Sequence, residues 1–177
     1  SITRMHQMPR KELEELQRQA AARRFSEHRE SIAILRQLAD KEDIHEVSSF
    51  NDLPPLFFAH TAFKSYPSAL LDRKRFDLMT QWLDKLTSHD LSSVDTDGCD
   101  SIDEWIDRLD EQTPLEVITS SGTTGTLSLI PKDKHGATYT MKLWRMFLFQ
   151  TFGKEPTEEE LHPEVEVIWP NFASGKL

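Results

Sequence analysis

The sequence predicts an α/β fold: a helical N-terminal region followed by a partial parallel or mixed sheet built around a buried helix. Three observations carry this reading. Residues 10–40 contain neither Gly nor Pro and are rich in residues that favour helix. After Pro114, short apolar and β-branched runs at 115–119, 127–131 and 165–169 replace the helical spacing. Between the last two runs, residues 136–152 are apolar almost all round (Met141, Leu143, Trp144, Met146, Phe147, Leu148, Phe149), so that helix asks for burial on most of its surface. Strand, buried helix and strand in succession make a βαβ unit, and hence a parallel or mixed sheet. The chain divides into a helical arm, 1–46, and a partial α/β domain, 47–177, with the hydroxyl-rich segment 119–128 inside it.

The arm opens at Pro9, which suits a first helical turn. Leu13, Leu16 and Ala20 share one face, and Ile32, Leu35 and Leu38 continue a similar stripe, as expected of one or two amphipathic helices docked on the rest. The heptad pattern is too short for a coiled coil. Residues 47–67 are rich in Pro and Phe and read as an extended, packed segment, with Leu56, Phe57, Phe58 and Phe63 in the core and His60 as a hydrogen-bonded structural histidine. A helix is expected over 72–88, burying Phe76, Met79, Leu83 and Leu86. Another is expected over 101–110, opened by a capping box between Ser101 and Glu104 and buried through Trp105, Ile106 and Leu109. Gly153 closes the apolar helix, and an acidic stretch at 155–160 leads to the final run.

Composition narrows the partners. The 177 residues carry 21 Lys and Arg against 30 Asp and Glu, a formal charge of −9. That balance disfavours nucleic acid and anionic membranes, although a local cationic pocket could still hold one nucleotide. A single cysteine, Cys99, precludes an internal disulfide and any cysteine metal cage. Nothing resembles a signal peptide or membrane span, so a cytoplasmic protein is expected.

The segment that carries chemistry is Thr119-Ser120-Ser121-Gly122-Thr123-Thr124-Gly125-Thr126-Leu127-Ser128. Gly122 and Gly125 let the backbone turn tightly and approach a ligand with no Cβ in the way. Successive N–H groups in such a turn can converge on an anion. The hydroxyls add donors able to follow phosphate oxygens as they shift. No Lys follows Gly125, which excludes a Walker A loop, and the G-x-G-x-x-G spacing of a dinucleotide site is absent. The plain structural alternative is a polar hairpin turn rich in Ser, Thr and Gly.

This segment resembles the signature loop of the adenylate-forming superfamily, whose common form is T-S-G-T-T-G-x-P-K. Ser120-Ser121-Gly122-Thr123-Thr124-Gly125 carries the match, and Leu127-Ser128 stands where that form has Pro-Lys. The variant S-S-G-T-T-G-x-x-S, followed by an apolar run and Ile130-Pro131, is closer to the acyl-protein synthetase branch. Leu53-Pro54-Pro55-Leu56-Phe57-Phe58 is similar to the segment leading into the fold of that branch. The resemblance covers residues 50–170, and only the loop is specific. It implies a cofactor-binding set of Ser120, Ser121, Gly122, Thr123, Thr124, Gly125 and Ser128 holding ATP, with Mg²⁺. The implied partners are a carboxylic acid, such as a fatty acid, and an acyl acceptor that is either a protein or CoA. Lys132 or Lys134 would have to substitute for the missing lysine. Further family motifs lie downstream of such a loop, so an N-terminal piece of a longer enzyme is expected, or a chain completed by its C-terminal portion or an oligomeric partner. No catalytic residue is assigned.

Two alternatives stand beside this reading. One is a non-catalytic interaction module that uses the N-terminal helices. The other is a calcium-binding helix-loop-helix at 93–104, with Asp95, Asp97 and Glu104 as ligands and Gly98 at the sharp turn. Against it, Ser93 and Asp100 depart from the usual loop, and capping alone explains Ser101 and Glu104. The seven histidines are scattered, with no i, i+4 pair for zinc. Cys99, among carboxylates, is a poor thiolate and a poor acyl acceptor.

Overall fold

The computed structural model describes residues 8–120, 126–151, 153 and 157. Its first two helices, α1 (Arg10–His28) and α2 (Ala33–Lys41), fall within the expected arm. They meet over a small apolar cluster of Phe25, Ala39, Val47 and Leu56. The docking face of α1 is not the expected Leu13–Leu16–Ala20 stripe, since Leu16 and Ala20 are exposed. It is Ala21, Ala22 and Phe25. The outer faces of α1 carry i,i+3 and i,i+4 ion pairs, among them Arg10–Glu14 at 2.6 Å and Arg18–Glu15 at 2.7 Å.

The Pro-rich segment folds as three 3₁₀ turns, Phe50–Asp52, Pro54–Leu56 and His60–Lys64. Ser49 starts the first: its hydroxyl accepts from Asn51 N at 3.2 Å, while Asp52 accepts from Ser49 N at 2.7 Å. Leu56 is buried as expected, and Phe58 and Phe63 are half-buried with ring centroids 6.2 Å apart. Phe57 is corrected: it stands 68% exposed. His60 is exposed as well, outside any core.

A short helix, α3 (Ser68–Asp72), precedes the helix expected over 72–88, which is confined to α4 (Phe76–Asp84). Lys74, with φ of +53°, breaks the path between them. Phe76, Met79, Leu83 and Leu86 are all buried, as their spacing predicts. Helix α5 (Ile102–Gln112) opens on Ser101, whose hydroxyl accepts from Glu104 N at 3.2 Å. The return half of the expected box is displaced by one residue, because Glu104 accepts from Asp100 N at 2.7 Å. Trp105, Ile106 and Leu109 of α5 are fully buried against α4 and the following strand.

Strands β1 (Leu115–Thr119) and β2 (Leu129–Asp133) pair antiparallel, with Thr119 opposite Leu129 and Leu115 opposite Asp133. The described sheet is therefore an antiparallel hairpin, while the expected parallel or mixed sheet rested on a βαβ unit of 127–131, 136–152 and 165–169. The run at 165–169, which would complete a βαβ unit, lies outside the described residues. Leu115, Val117 and Leu129 form the buried face, while Glu116 and Lys132 sit directly opposite each other on the other face. Ladder bonds at Ser120 N to Ser128 O (3.2 Å) and Lys134 N to Pro114 O (2.9 Å) fix the alternation. Val117 and Pro131 are thus a non-hydrogen-bonded pair, a position in β2 where a missing N–H leaves the hairpin intact.

Helix α6 (Lys134–Thr151) follows β2 without a gap. Asp133 starts it, accepting from Gly136 N at 3.1 Å, and also meets His89 Nε2 at 2.8 Å. These bonds hold the Asp133 carboxyl below its ordinary range, the Gly136 amide contributing most. Among the described side chains of this helix the expected burial does not hold: Tyr139, Leu143, Trp144 and Phe147 are exposed, Trp144 by 64%.

The buried hydrogen-bond chain in this core is testable. Trp105 Nε1 donates to Thr80 Oγ1 at 2.9 Å, and Thr80 Oγ1 donates to Phe76 O at 2.9 Å. Thr80→Val keeps the shape and strands the indole N–H. Urea unfolding of that variant is expected to show a loss of about 1–3 kcal/mol; an unchanged midpoint would show that the bond contributes nothing net.

Candidate functional site

The hydroxyl-rich segment leaves β1 at Thr119 and re-enters the ladder at Ser128. Its two ends are held together by the backbone and by one side chain. Ser120 N donates to Ser128 O at 3.2 Å, and Ser128 N donates back to the Ser120 hydroxyl at 3.3 Å. A side-chain oxygen thus takes the place of the carbonyl that would normally complete the pair. Ser128 is buried, 7% exposed, beside Leu129 at the floor of the hairpin mouth.

A third tie comes from far away in the chain. The Tyr66 hydroxyl donates to Leu127 O at 2.7 Å. Tyr66 is itself fixed by an edge-on contact with Trp82, centroids 5.1 Å apart, and Trp82 Nε1 donates to Ser65 Oγ at 2.9 Å. Burial raises the Tyr66 phenol above its ordinary value, which keeps it a donor across the neutral range.

Of the seven residues expected to bind a nucleotide, the structure brings Ser120 and Ser128 together. Ser121, Gly122, Thr123, Thr124 and Gly125 lie outside the described residues. The hairpin agrees with the plain alternative of a polar turn as far as its ends go. Joining two antiparallel strands takes only two residues, however. Seven residues, 121–127, separate the bonded pair Ser120 and Ser128, and the sequence from 117 to 131 holds no charged side chain. That stretch offers N–H and O–H donors and no carboxylate to repel an anion.

Neither lysine considered as a substitute is near the mouth. Lys132 lies four residues along β2 from Ser128, about 13 Å at the rise of a strand. Lys134 lies at the opposite end of the hairpin. There its ammonium donates to Asp110 O and to Thr113 O (3.0 Å), with Asp110 Oδ1 at 3.3 Å, closing the C-terminal end of α5. Its role is structural.

The acidic loop at 93–104 uses its carboxylates locally. Asp95 accepts from Asp97 N at 2.9 Å, Asp100 pairs with Lys74 Nζ at 2.9 Å, and Glu104 caps α5. Gly98 does take the left-handed conformation, φ +77°, that its place at a sharp turn requires. Among the described residues no group of three acidic, His or Cys side chains converges as a metal site. Cys99 is buried, and burial is the main reason its thiol is pushed up; Glu104 and Asp95 add to the shift and Arg108 opposes it. No described helix is long and apolar enough to cross a membrane.

Tyr66 was invisible to the sequence reading, because its partner is 61 residues away. Its removal tests the third tie. Tyr66→Phe is expected to speed amide exchange at Ser120 and Ser128 and to lower stability by about 1 kcal/mol at neutral pH. In the native chain the contribution of the phenol is complete below pH 10 and is lost as pH rises through its raised pKa. The variant should therefore show a shallower loss of stability above pH 10; identical alkaline profiles would refute that role. No protein-family model, curated protein or solved structure matches this chain.

Proposed function

We propose that the segment 119–128 binds the phosphates of ATP and serves the activation of a carboxylic acid, with a fatty acid as the favoured class. A carboxylate oxygen attacks the α-phosphorus, the bond to the β-phosphate oxygen breaks, and pyrophosphate leaves. The acyl-adenylate then gives its acyl group to a thiol on a carrier protein or on CoA, and AMP departs. The observation that carries the reading is the closed hairpin mouth. It holds Ser120 and Ser128 in fixed register and leaves between them an uncharged, glycine- and hydroxyl-rich connection longer than the turn requires.

The donor set suits the group. Amide N–H groups and hydroxyls stabilise charge that builds on phosphate oxygens, and they need no reorganisation when the backbone is already turned toward it. Ser120, Ser121, Thr123 and Thr124 supply hydroxyls, while Gly122 and Gly125 supply close backbone approach. Mg²⁺ would enter on the nucleotide, where it neutralises phosphate charge; no side chain of this chain is assigned to it. The adenine pocket, the acid pocket and any catalytic lysine are assigned to other parts of the protein or to a partner. A cytoplasmic setting, where ATP and thiol acceptors are at hand, belongs to the same proposal.

The test is made on the protein as naturally produced. Thr123→Val combined with Gly125→Ala removes a hydroxyl and crowds the backbone approach. Carboxylate-dependent exchange of labelled pyrophosphate into ATP is expected to fall by about 100-fold or more, with the urea unfolding midpoint unchanged. Exchange at the native rate would reject the assignment of this loop.

A further inference from the structure

An apolar groove of about 580 Å³ lies on the N-terminal unit, far in sequence from the hairpin mouth. Phe25 of α1 and Ile32 and Leu35 at the start of α2 line one side of it. Leu56, Phe57 and Phe63 of the 3₁₀ segment line the other. We propose that this groove docks an acidic amphipathic helix of a partner protein. The inference is independent of the nucleotide reading.

Charge selects the occupant. Among the described residues no carboxylate lines the groove, and Arg24 is its cationic group, with His28 beside it. Glu27, next to the rim, is shared between Arg23 at 3.6 Å and Arg24 at 3.4 Å, so two guanidinium groups face one carboxylate. The rim keeps a positive excess in a chain whose net charge is −9. A second copy of the chain would bring the same large negative charge against itself, which disfavours self-association at this face. An acidic partner gains from both the rim and the floor.

Shape selects a helix. The groove is built from helices and 3₁₀ turns and offers no strand edge, so an extended peptide would find no ladder to join. It is open, with Phe57 standing 68% exposed on its wall. A small-molecule or acyl-chain site would bury about 70–90% of its ligand's surface, and this wall does not close over. From Ala21 to His28 the groove follows two turns of α1, about 10 Å. That length accepts two or three apolar anchors at i, i+4 and i+7. Phe57, large, aromatic and exposed, is the natural central contact.

The probe is a fluorescent helical peptide of about 16 residues, with Leu at i, i+3, i+4 and i+7 and Glu on its polar face. Its control carries Lys in place of Glu. Anisotropy titrations on the full chain should show binding of the acidic peptide and at least about tenfold weaker binding of the basic one. Phe57→Ser should weaken the acidic peptide by about tenfold, and Arg24→Glu by about fivefold. Both positions are exposed, so neither change threatens the fold. The proposal is overturned if the acidic peptide does not bind, if both peptides bind alike, or if the two variants bind it as the native chain does. It is also overturned if dodecanoate occupies the groove and the peptide does not, or if sedimentation shows a dimer that Phe57→Ser dissolves.

Discussion

Trp105 is fully buried, and its indole N–H must find an acceptor away from water. Thr80 provides it, and its hydroxyl donates in turn to the Phe76 carbonyl one turn back along α4. The two helices are thereby joined at one depth and one rotation, with the Phe76 ring stacked on the indole at 6.0 Å. Apolar contacts alone would tolerate sliding of α5 on α4; a buried donor with a single acceptor does not. Ile106 and Leu109, on the same face of α5, are then aimed at Leu115 and Val117 of β1. The position of the hairpin follows from that of Trp105.

The candidate site inherits this order. Its floor is Leu129, which belongs to the same buried cluster as Trp105, and its outer strap is Tyr66, which packs there too. Lys134 fastens the far end of the hairpin to the carbonyls that end α5. His89 and Asp133 add a second fastening at that end. The end opposite the mouth is thus bound to helices, while the mouth is closed by Ser120, Ser128 and Tyr66.

Local features were the most legible in the sequence. The cap at Ser101, the strand at 115–119 and the buried set Phe76, Met79, Leu83 and Leu86 all follow from spacing within one element. The antiparallel pairing of β1 with β2 agrees with the polar-turn alternative, and the nine residues between Thr119 and Leu129 are too few for a parallel connection, which needs about a dozen or more. What failed was long-range. The exposure of Leu143 and Trp144 could not be read from composition, which states what a helix requires and not what lies beside it. Within the site, residue types marked the segment, but the Tyr66 strap joins positions with no shared local pattern. The placing of Lys134 at the end of the hairpin away from Ser120 and Ser128 shows the same limit, since closeness in sequence along a strand is distance in space.

Pro131 has a consequence for how this sheet can be extended. In a two-stranded ribbon each strand turns one row of backbone groups toward its neighbour and the other row outward. Pro131 sits where its nitrogen faces outward, so the outer margin of β2 lacks a donor at its middle. An incoming strand would meet a gap there and could not complete a register. The outer margin of β1, 115–119, contains no proline and keeps its donors. The β1 side therefore offers an added strand a full row of donors, and the β2 side offers one that is interrupted.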